Sequence, residues 1–176
     1  LLQLEAGSKI IDIGGGTGGL LVEILSLNSS VSGILFDLPT LIQQAVDYID
    51  ARSASIKNRI EWVGGDFFKK VPQANVMILS EVIHDWNDRL ALQILRNCRT
   101  SICSSGKIYL VERFLDEEEQ KNRGNLIDLT MMVVTGGKER TVKQYQELLG
   151  EAGFELLNTT SIPDSRGRIL IEGIAI

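Results

Sequence analysis

Histidine and cysteine are scarce in this sequence of 176 residues, which contains one histidine and two cysteines. The cysteines, Cys98 and Cys103, lie in one amphipathic segment at a spacing that would point them to different faces of a helix, so they could not pair. This excludes a disulfide framework and predicts a reducing, cytoplasmic setting. The sequence offers no set of metal ligands, so no metal is predicted, and imidazole chemistry has to come from His84 alone.

Basic residues and long apolar runs are also few. The chain has 18 Lys and Arg against 23 Asp and Glu, and it has no basic stripe that would bind a phosphate backbone, so nucleic acid is excluded as a partner. No apolar run approaches the ~20 residues needed to span a bilayer, and no signal peptide is recognisable, so a membrane is excluded as well. The 44% hydrophobic content is enough for one buried core. The abrupt entry into an apolar run predicts that residues 1–176 form one domain excised from a longer enzyme.

Short apolar runs alternate with segments of helical spacing along the chain. Such alternation is typical of an α/β fold with a parallel sheet and right-handed crossovers. Strands are predicted over 9–13, 32–38, 60–66, 74–82 and 106–114, and helices over 19–27, 40–51 and 89–102, the last with Asn87 or Asp88 as its N-cap. Beyond residue 115, the predicted elements are a charged loop over 116–124, an apolar helix over 125–134, a helix over 142–153 closed by Gly153, and an antiparallel hairpin of 154–162 and 168–176.

A glycine-rich segment, DIGGGTGG at 12–19, lies between the first predicted strand and the first predicted helix. The backbone N–H groups of such a loop can approach a ligand closely, although glycines also form tight turns that bind nothing. Asp37 ends the second strand, where a carboxylate can accept both hydroxyls of an adenosine ribose. In GGDFF at 64–68, Asp66 could accept from an adenine amino group and Phe67 could pack on the base, unless this segment is only a strand-ending turn.

The acids at these strand ends should meet at the carboxyl edge of the sheet, where open α/β sheets bind ligands. An oxidoreductase that uses NAD is one possible class. The acid at Asp12 and the lack of a nearby Arg or Lys disfavour a pyrophosphate, however. S-adenosylmethionine carries an ammonium and a sulfonium cation, which tolerate acidic walls, so it is the predicted cofactor.

Five motifs occur in order along the chain: the glycine loop, LFDLP, GGDFF, IHDW and GGKERT. With them the chain strongly resembles, over nearly its whole length, the S-adenosylmethionine-dependent O-methyltransferases that include plant caffeate and flavonoid and animal hydroxyindole enzymes. The resemblance implies a Rossmann-like methyltransferase fold, with a seven-stranded, mostly parallel sheet, an antiparallel last strand and helices on both faces. It implies methyl transfer to a phenol, an enol or a similar hydroxyl on a small molecule, free or carrier-bound. A cofactor-binding module that no longer methylates is a further alternative.

The resemblance also implies roles for individual residues. His84, in EVIHDW at 81–86, is expected to be the general base that removes the proton of the acceptor hydroxyl, with Glu112 and Glu139 flanking it. From IHDW alone, a buried core histidine is the alternative. The residues expected to bind the cofactor are Asp12, Gly14, Gly16, Asp37, Leu38, Asp66, Phe67 and Ser80.

The chain departs from this family's pattern at two points. Ser80 and Glu81 stand where many members have Lys-Trp, and the lysine usually helps to position the cofactor. Full-length members dimerise through an N-terminal helical domain that is absent here, which leaves open whether this chain is a monomer or a dimer. For Asp85 and Trp86, helix capping and packing are the simplest roles.

Overall fold

The structure is a computed structural model that describes residues 2, 4–50, 53–114, 137–163 and 167–176. The predicted loop over 116–124 and the predicted helix over 125–134 lie outside the described residues. In the part of the chain that is described, no helix is long and apolar enough to cross a membrane. Cys98 and Cys103 are both free thiols, as predicted.

One seven-stranded sheet forms the centre of the domain. Its strands are β1 (Lys9–Ile13), β2 (Ser32–Asp37), β3 (Ile60–Gly64), β4 (Ala74–Ser80), β5 (Ile102–Arg113), β6 (Phe154–Ser161) and β7 (Arg168–Ala175). They are arranged in the order β3-β2-β1-β4-β5-β7-β6. β7 is antiparallel to both of its neighbours, and the remaining neighbours pair in parallel. The predicted fold class, including its antiparallel last strand, is confirmed.

Helices cover both faces of the sheet, as predicted. The helices α1 (Gly19–Leu27), α2 (Pro39–Asp50) and α3 (Ala54–Lys57) pack on one face, and α4 (Asp88–Ser101) and α5 (Val142–Ala152) pack on the other. Asn87 is the N-cap of α4, because its side chain accepts from the Leu90 N–H at 3.1 Å. α5 ends at Gly153, whose left-handed backbone (φ 89°) closes the helix as the sequence predicted.

The predicted end of the fourth strand and the predicted start of the fifth strand are wrong, whereas the fourth strand begins at Ala74 as predicted. β4 ends at Ser80, because Glu81 has a left-handed backbone (φ 54°) that a strand cannot continue. The chain then enters a 3₁₀ turn, Ile83–Asp85. β5 begins at Ile102 instead of 106, and its early residues Cys103, Ser104 and Ser105 are exposed, so no apolar run marks them as a strand. The four-residue helix α3 was not predicted, because a single turn has no readable periodicity.

Candidate functional site

The loop after β1 is the first part of the site. Gly14 and Gly16 have left-handed backbone, with φ of 71° and 55°. The Gly14 N–H donates to the Phe36 carbonyl at 2.8 Å, and the Gly16 N–H donates to the Asp37 carboxylate at 2.8 Å. Asp37, at the end of β2, therefore holds the loop that follows β1.

Two glycine substitutions should separate backbone strain from crowding in this loop. A Cβ on Gly14 would lie 2.9 Å from Val82 Cγ2, whereas a Cβ on Gly16 would have no heavy atom of the described residues within 4 Å. Gly16→Ala is expected to cost about 1–2 kcal/mol of unfolding free energy, from the left-handed backbone alone. Gly14→Ala should cost more and should also weaken cofactor binding, because Val82 must move. Urea unfolding and ligand titration of both variants measure the difference, and equal losses would contradict the role given to Val82.

Asp12 lies beneath the same loop and is almost completely buried, with 2% of its surface exposed. Among the residues that the structure describes, one of its carboxylate oxygens, Oδ2, has no hydrogen-bond partner. Burial, and next the negative charge of Asp37, raise the pKa of the Asp12 carboxyl from 3.8 to about 7, against a lowering by the Leu21 backbone. Burying a charged carboxylate is costly unless its charge is paired, so the role of Asp12 in cofactor binding stays a prediction.

The raised pKa of Asp12 predicts a pH-dependent stability of the ligand-free chain. Between pH 3.8 and about 7 the folded chain holds a proton that the unfolded chain releases, so stability falls as pH rises through this window. Asp12→Asn removes this loss, and its gain in unfolding free energy over the parent should grow with pH and level off above about 7.

Urea unfolding from about pH 4 to about pH 8 tests the Asp12 prediction. The matched control is Asp50→Asn, at the exposed end of α2, where the carboxylate pairs with Lys57. The Asp12→Asn variant should be more stable at the upper pH and should bind S-adenosylmethionine more weakly. If the difference in unfolding free energy between Asp12→Asn and the parent is the same at about pH 4 as at about pH 8, the raised pKa of Asp12 is refuted.

A cavity of about 390 Å³ opens beside the glycine loop, within the size range of small-molecule sites. Its walls include the predicted cofactor-binding residues Gly14, Asp37, Leu38, Asp66 and Phe67, and also Glu81, Asp85 and Trp86. Asp66 accepts from the Phe68 N–H at 2.9 Å. The rings of Phe67, Phe68 and Trp86 pack edge to face, with centroids 4.7 to 6.0 Å apart. One wall of the cavity is therefore a rigid aromatic cluster.

Three other predicted cofactor-binding residues do not line this cavity. Asp12 is buried beneath the loop, and Gly16 points its N–H at Asp37. Ser80 lines a separate apolar cavity of about 680 Å³, which Arg168 and Leu170 also border. The structure thus places Ser80 apart from the crevice that contains Asp37.

His84 and Glu112 form the most tightly held part of the site. His84 Nδ1 is 2.7 Å from Glu112 Oε2. Glu112 Oε1 accepts from the Val82 and Ile83 N–H groups at 3.0 and 2.7 Å. The Glu112 side chain is fully buried, and one of its oxygens accepts from the backbone at the start of the 3₁₀ turn while the other contacts the imidazole. The His84 ring is therefore oriented by a carboxylate that the backbone of the same turn holds in place.

The surroundings of His84 favour its charged form. The hydrogen bond that the Glu112 carboxylate accepts from the imidazole raises the pKa of His84 above 6.5. Partial burial lowers this pKa, and the negative charges of Glu112, Asp85 and Glu81 raise it further. Asp85 Oδ1 lies 3.4 Å from Nε2, the nitrogen that Glu112 leaves free. His84 does not itself line the cavity, although Val82, Asp85 and Trp86 beside it do. The His84 side chain is 19% exposed, so it is only partly buried, and its role as a base stays a prediction.

Glu139 lies in a segment that packs against the His84 turn. The Lys138 N–H donates to the His84 carbonyl at 2.8 Å. Within the described ranges, no hydrogen bond or ion pair joins the Glu139 carboxylate to His84, so its flanking role stays a prediction. In the same part of the chain, no three His, Cys, Asp or Glu side chains come together as a metal-binding group.

Sequence reasoning missed two contributors to the site. Asp85 does not cap α4, because Asn87 does, and its carboxylate instead approaches the imidazole. Arg140 is completely buried and donates to the backbone carbonyls of Ile83 and Trp86. The available signal for Arg140 was an arginine in GGKERT directly before a helix N-cap, which by itself is typical of an exposed turn.

The sequence profile of the O-methyltransferase domain matches residues 1–155. The chain is 40% identical over 164 residues to phenazine O-methyltransferase PhzM of Lysobacter antibioticus, which covers 93% of this chain and 47% of that protein. The chain therefore spans about half the length of this curated relative.

Two solved structures are also similar over nearly the whole chain. One is an O-methyltransferase (NcsB1) from neocarzinostatin biosynthesis in complex with S-adenosylmethionine and 2-hydroxy-5-methyl naphthoic acid, with a TM-score of 0.83 and 30% identity over 97% of this chain and 49% of that one. The other is human N-acetylserotonin methyltransferase in complex with S-adenosylmethionine, with a TM-score of 0.79 and 31% identity over 96% of this chain and 47% of that one.

Proposed function

Because the chain belongs to the O-methyltransferase domain family, we propose that it transfers a methyl group from S-adenosylmethionine to the hydroxyl of a small phenolic, enolic or similar compound, with His84 as the general base. The observation that carries this proposal is the 2.7 Å contact between His84 Nδ1 and a fully buried Glu112, at the carboxyl edge of the sheet beside the acidic cavity. NAD-dependent oxidation, the alternative from the glycine loop, has no counterpart among these relatives.

The residues around the cavity fit the cofactor. Asp12, buried beneath the loop, has one oxygen that would suit the ammonium of the methionine part, and a Cβ on Gly14 would lie 2.9 Å from Val82 Cγ2. Asp37 would accept from the ribose, with Leu38, Asp66 and Phe67 around the base. When bound, S-adenosylmethionine supplies an electrophilic methyl group on a sulfonium. The cavity is lined by acidic residues, and no Lys or Arg lines it within the described part of the chain, which suits that positive charge.

His84 supplies the proton acceptor. In the neutral ring, Nδ1–H donates to Glu112 and Nε2 keeps its lone pair for the proton of the acceptor hydroxyl. Glu112 then stabilises the imidazolium, as the raised pKa of His84 indicates. A general base of this kind contributes about 10² to 10⁴ in rate. An acceptor hydroxyl that reaches Nε2 would take the place next to the ring that Asp85 approaches in this structure.

Two measurements test the proposed function. Titration calorimetry should show binding of S-adenosylmethionine and none of NAD. Labelled S-adenosylmethionine should then transfer its methyl group to hydroxylated phenazines, naphthoates or flavonols, while the matched compounds without the hydroxyl stay unlabelled. Tight NAD binding without a response to S-adenosylmethionine would overturn the cofactor assignment. Cofactor binding with no transfer to any acceptor would favour the module that no longer methylates.

We also propose how this domain fits into a longer protein. Residues 1–176 would be the catalytic, cofactor-binding domain, and a helical domain such as the resemblance implies would dimerise and complete the acceptor pocket. A cytoplasmic location and an acceptor that is free or carrier-bound belong to the same proposal. Sedimentation of this chain against a full-length form tests the dimer.

A further inference from the structure

Arg140 has an unusual environment for a guanidinium. Its side chain is fully buried, and it lies in the segment before α5, away from the cavity walls. Nη1 donates to the carbonyls of Ile83 and Lys138 at 3.0 and 3.1 Å, and Nη2 donates to the carbonyl of Trp86 at 2.7 Å. Nε donates to Asp88 at 2.9 Å. Most of its donors therefore serve backbone carbonyls of the short stretch that contains His84.

Glu112 and Arg140 bind the same turn, one through its backbone N–H groups and the other through its backbone carbonyls. Glu112 accepts from the N–H groups of Val82 and Ile83, on the side where the chain enters the turn. Arg140 donates to the carbonyls of Ile83 and Trp86, which bracket His84. A turn held through both its N–H and its C=O groups cannot rotate freely. The imidazole on it is therefore fixed relative to the oxygen of Glu112 that it contacts.

The charge of Arg140 makes a purely structural role expensive. Its carboxylate partner is Asp88, on α4, which is 55% exposed, and a buried cation with one half-solvated partner is costly compared with an apolar side chain. A planar guanidinium, however, presents five N–H donors on three nitrogens in a rigid fork, so it can reach carbonyls that are several ångströms apart, whereas the three donors of an ammonium share one nitrogen. This explains why an arginine, and not an apolar residue, occupies the position.

On the basis of the proposed function, we propose that Arg140 is a positioning residue for methyl transfer: it sets the orientation of the His84 ring through the carbonyls of Ile83 and Trp86 and never touches the reacting atoms. The groups that face the imidazole are Glu112 on β5 and Asp85 and Glu81 beside it on the chain. Loosening the turn should lengthen the contact between His84 and Glu112 and move the titration of His84 down toward that of a free histidine.

The test uses the fact that His84 is the only histidine of the chain. Its ring protons give one set of NMR signals, assigned by their loss in His84→Gln, so the titration of this residue can be followed directly. Arg140→Lys should lower the pKa of His84 and lower kcat about tenfold or more, as expected for a misplaced base, with the cofactor Kd unchanged. An unchanged His84 titration in a folded Arg140→Lys chain would overturn the proposal.

Arg59→Lys is the matched control. Arg59 also donates to three backbone carbonyls, those of Leu25, Asn28 and Val31, at the far end of α1. Its substitution should destabilise the chain in a similar way and leave the His84 titration as it was. A shift of His84 as large as that of Arg140→Lys would mean a general loosening of the fold and would refute the specific role.

A second variant keeps the proposal testable if Arg140→Lys does not fold. Asp88→Asn removes the carboxylate that Arg140 Nε contacts, at an exposed position. It should shift the His84 titration in the same direction by a smaller amount, and no shift would contradict the proposal. The NMR titration needs neither methyl donor nor acceptor. If no acceptor is methylated but His84 still shifts, the proposed function fails, while the effect of Arg140 on the orientation of the His84 ring stands.

Discussion

Replacement of His84 by glutamine is expected to lower the rate of methyl transfer by about 10² to 10⁴ while S-adenosylmethionine binds as before. Glutamine can still contact the buried carboxylate of Glu112, but it cannot take a proton. The side chain at position 84 lies beside the cavity and does not line it, so the cofactor should lose no contact in the variant. Single-turnover transfer of a labelled methyl group measures the rate, and calorimetry measures the affinity.

The pH profile provides the control for His84→Gln. In the parent, transfer should rise with pH as His84 loses its proton, with a midpoint above 6.5 because Glu112 raises the pKa. In the variant this rise should disappear, and the residual rate should follow only the ionisation of the acceptor. If the variant keeps the parent's midpoint, another group is the base. Asp85→Asn, which keeps His84, should retain the rise but at a lower pH, because one negative charge beside the ring is lost.

Glu112 should produce the second large effect, and here both stability and rate are involved. Glu112→Ala would leave the N–H groups of Val82 and Ile83 and the His84 ring without their acceptor in a fully buried place. Breaking a buried charged network from one side typically costs about 3–5 kcal/mol. Glu112→Gln keeps one oxygen for the backbone and should cost less. Urea unfolding of both variants measures the difference.

Glu112→Gln should also change the pH dependence in a definite direction. The folded pKa of His84 is raised, so the pair contributes its stability fully below 6.5 and loses it as pH rises through the folded pKa. The variant should lack this component, and its rate profile should shift to lower pH with a lower maximum.

Glu172→Gln is the matched control for Glu112→Gln. Glu172, on β7, accepts from Lys107 and Tyr109, which lie on β5 away from the turn that contains His84. Its loss should leave the His84 titration unchanged. If Glu172→Gln and Glu112→Gln have the same effect on that titration, Glu112 does not act through the imidazole.

The elements that could be predicted are those whose pattern is local. β1 and α1 have the predicted bounds, because a short apolar run and a helical period are both properties of neighbouring residues. The end of β4 could not be predicted, because Glu81 takes a left-handed backbone where a strand residue would be expected. Its carboxylate contacts Arg168, at the start of β7, at 2.9 Å, a partner 87 residues away.

The site residues likewise fall into those that the sequence could predict and those that it could not. Asp37 ends β2, Asp66 and Phe67 follow β3, and the three share a cavity, as residues at the strand ends of a parallel sheet should. Ser80 was predicted from its place in a motif, but the alternation of a strand sends its side chain toward a different cavity. Arg140 was missed because most of its partners are backbone carbonyls, which carry no sequence signal.

The hydrogen bond from Gly16 to Asp37 gives the two ends of the proposed cofactor site a common support. A variant at Asp37 would release the glycine loop at the same time as it removes the acid, so the measured loss of affinity would be a joint quantity. Double-mutant cycles between Asp37 and the loop should be strongly non-additive for that reason. Such coupling also means that neither position can change alone during divergence without altering how the other half of the ligand is held.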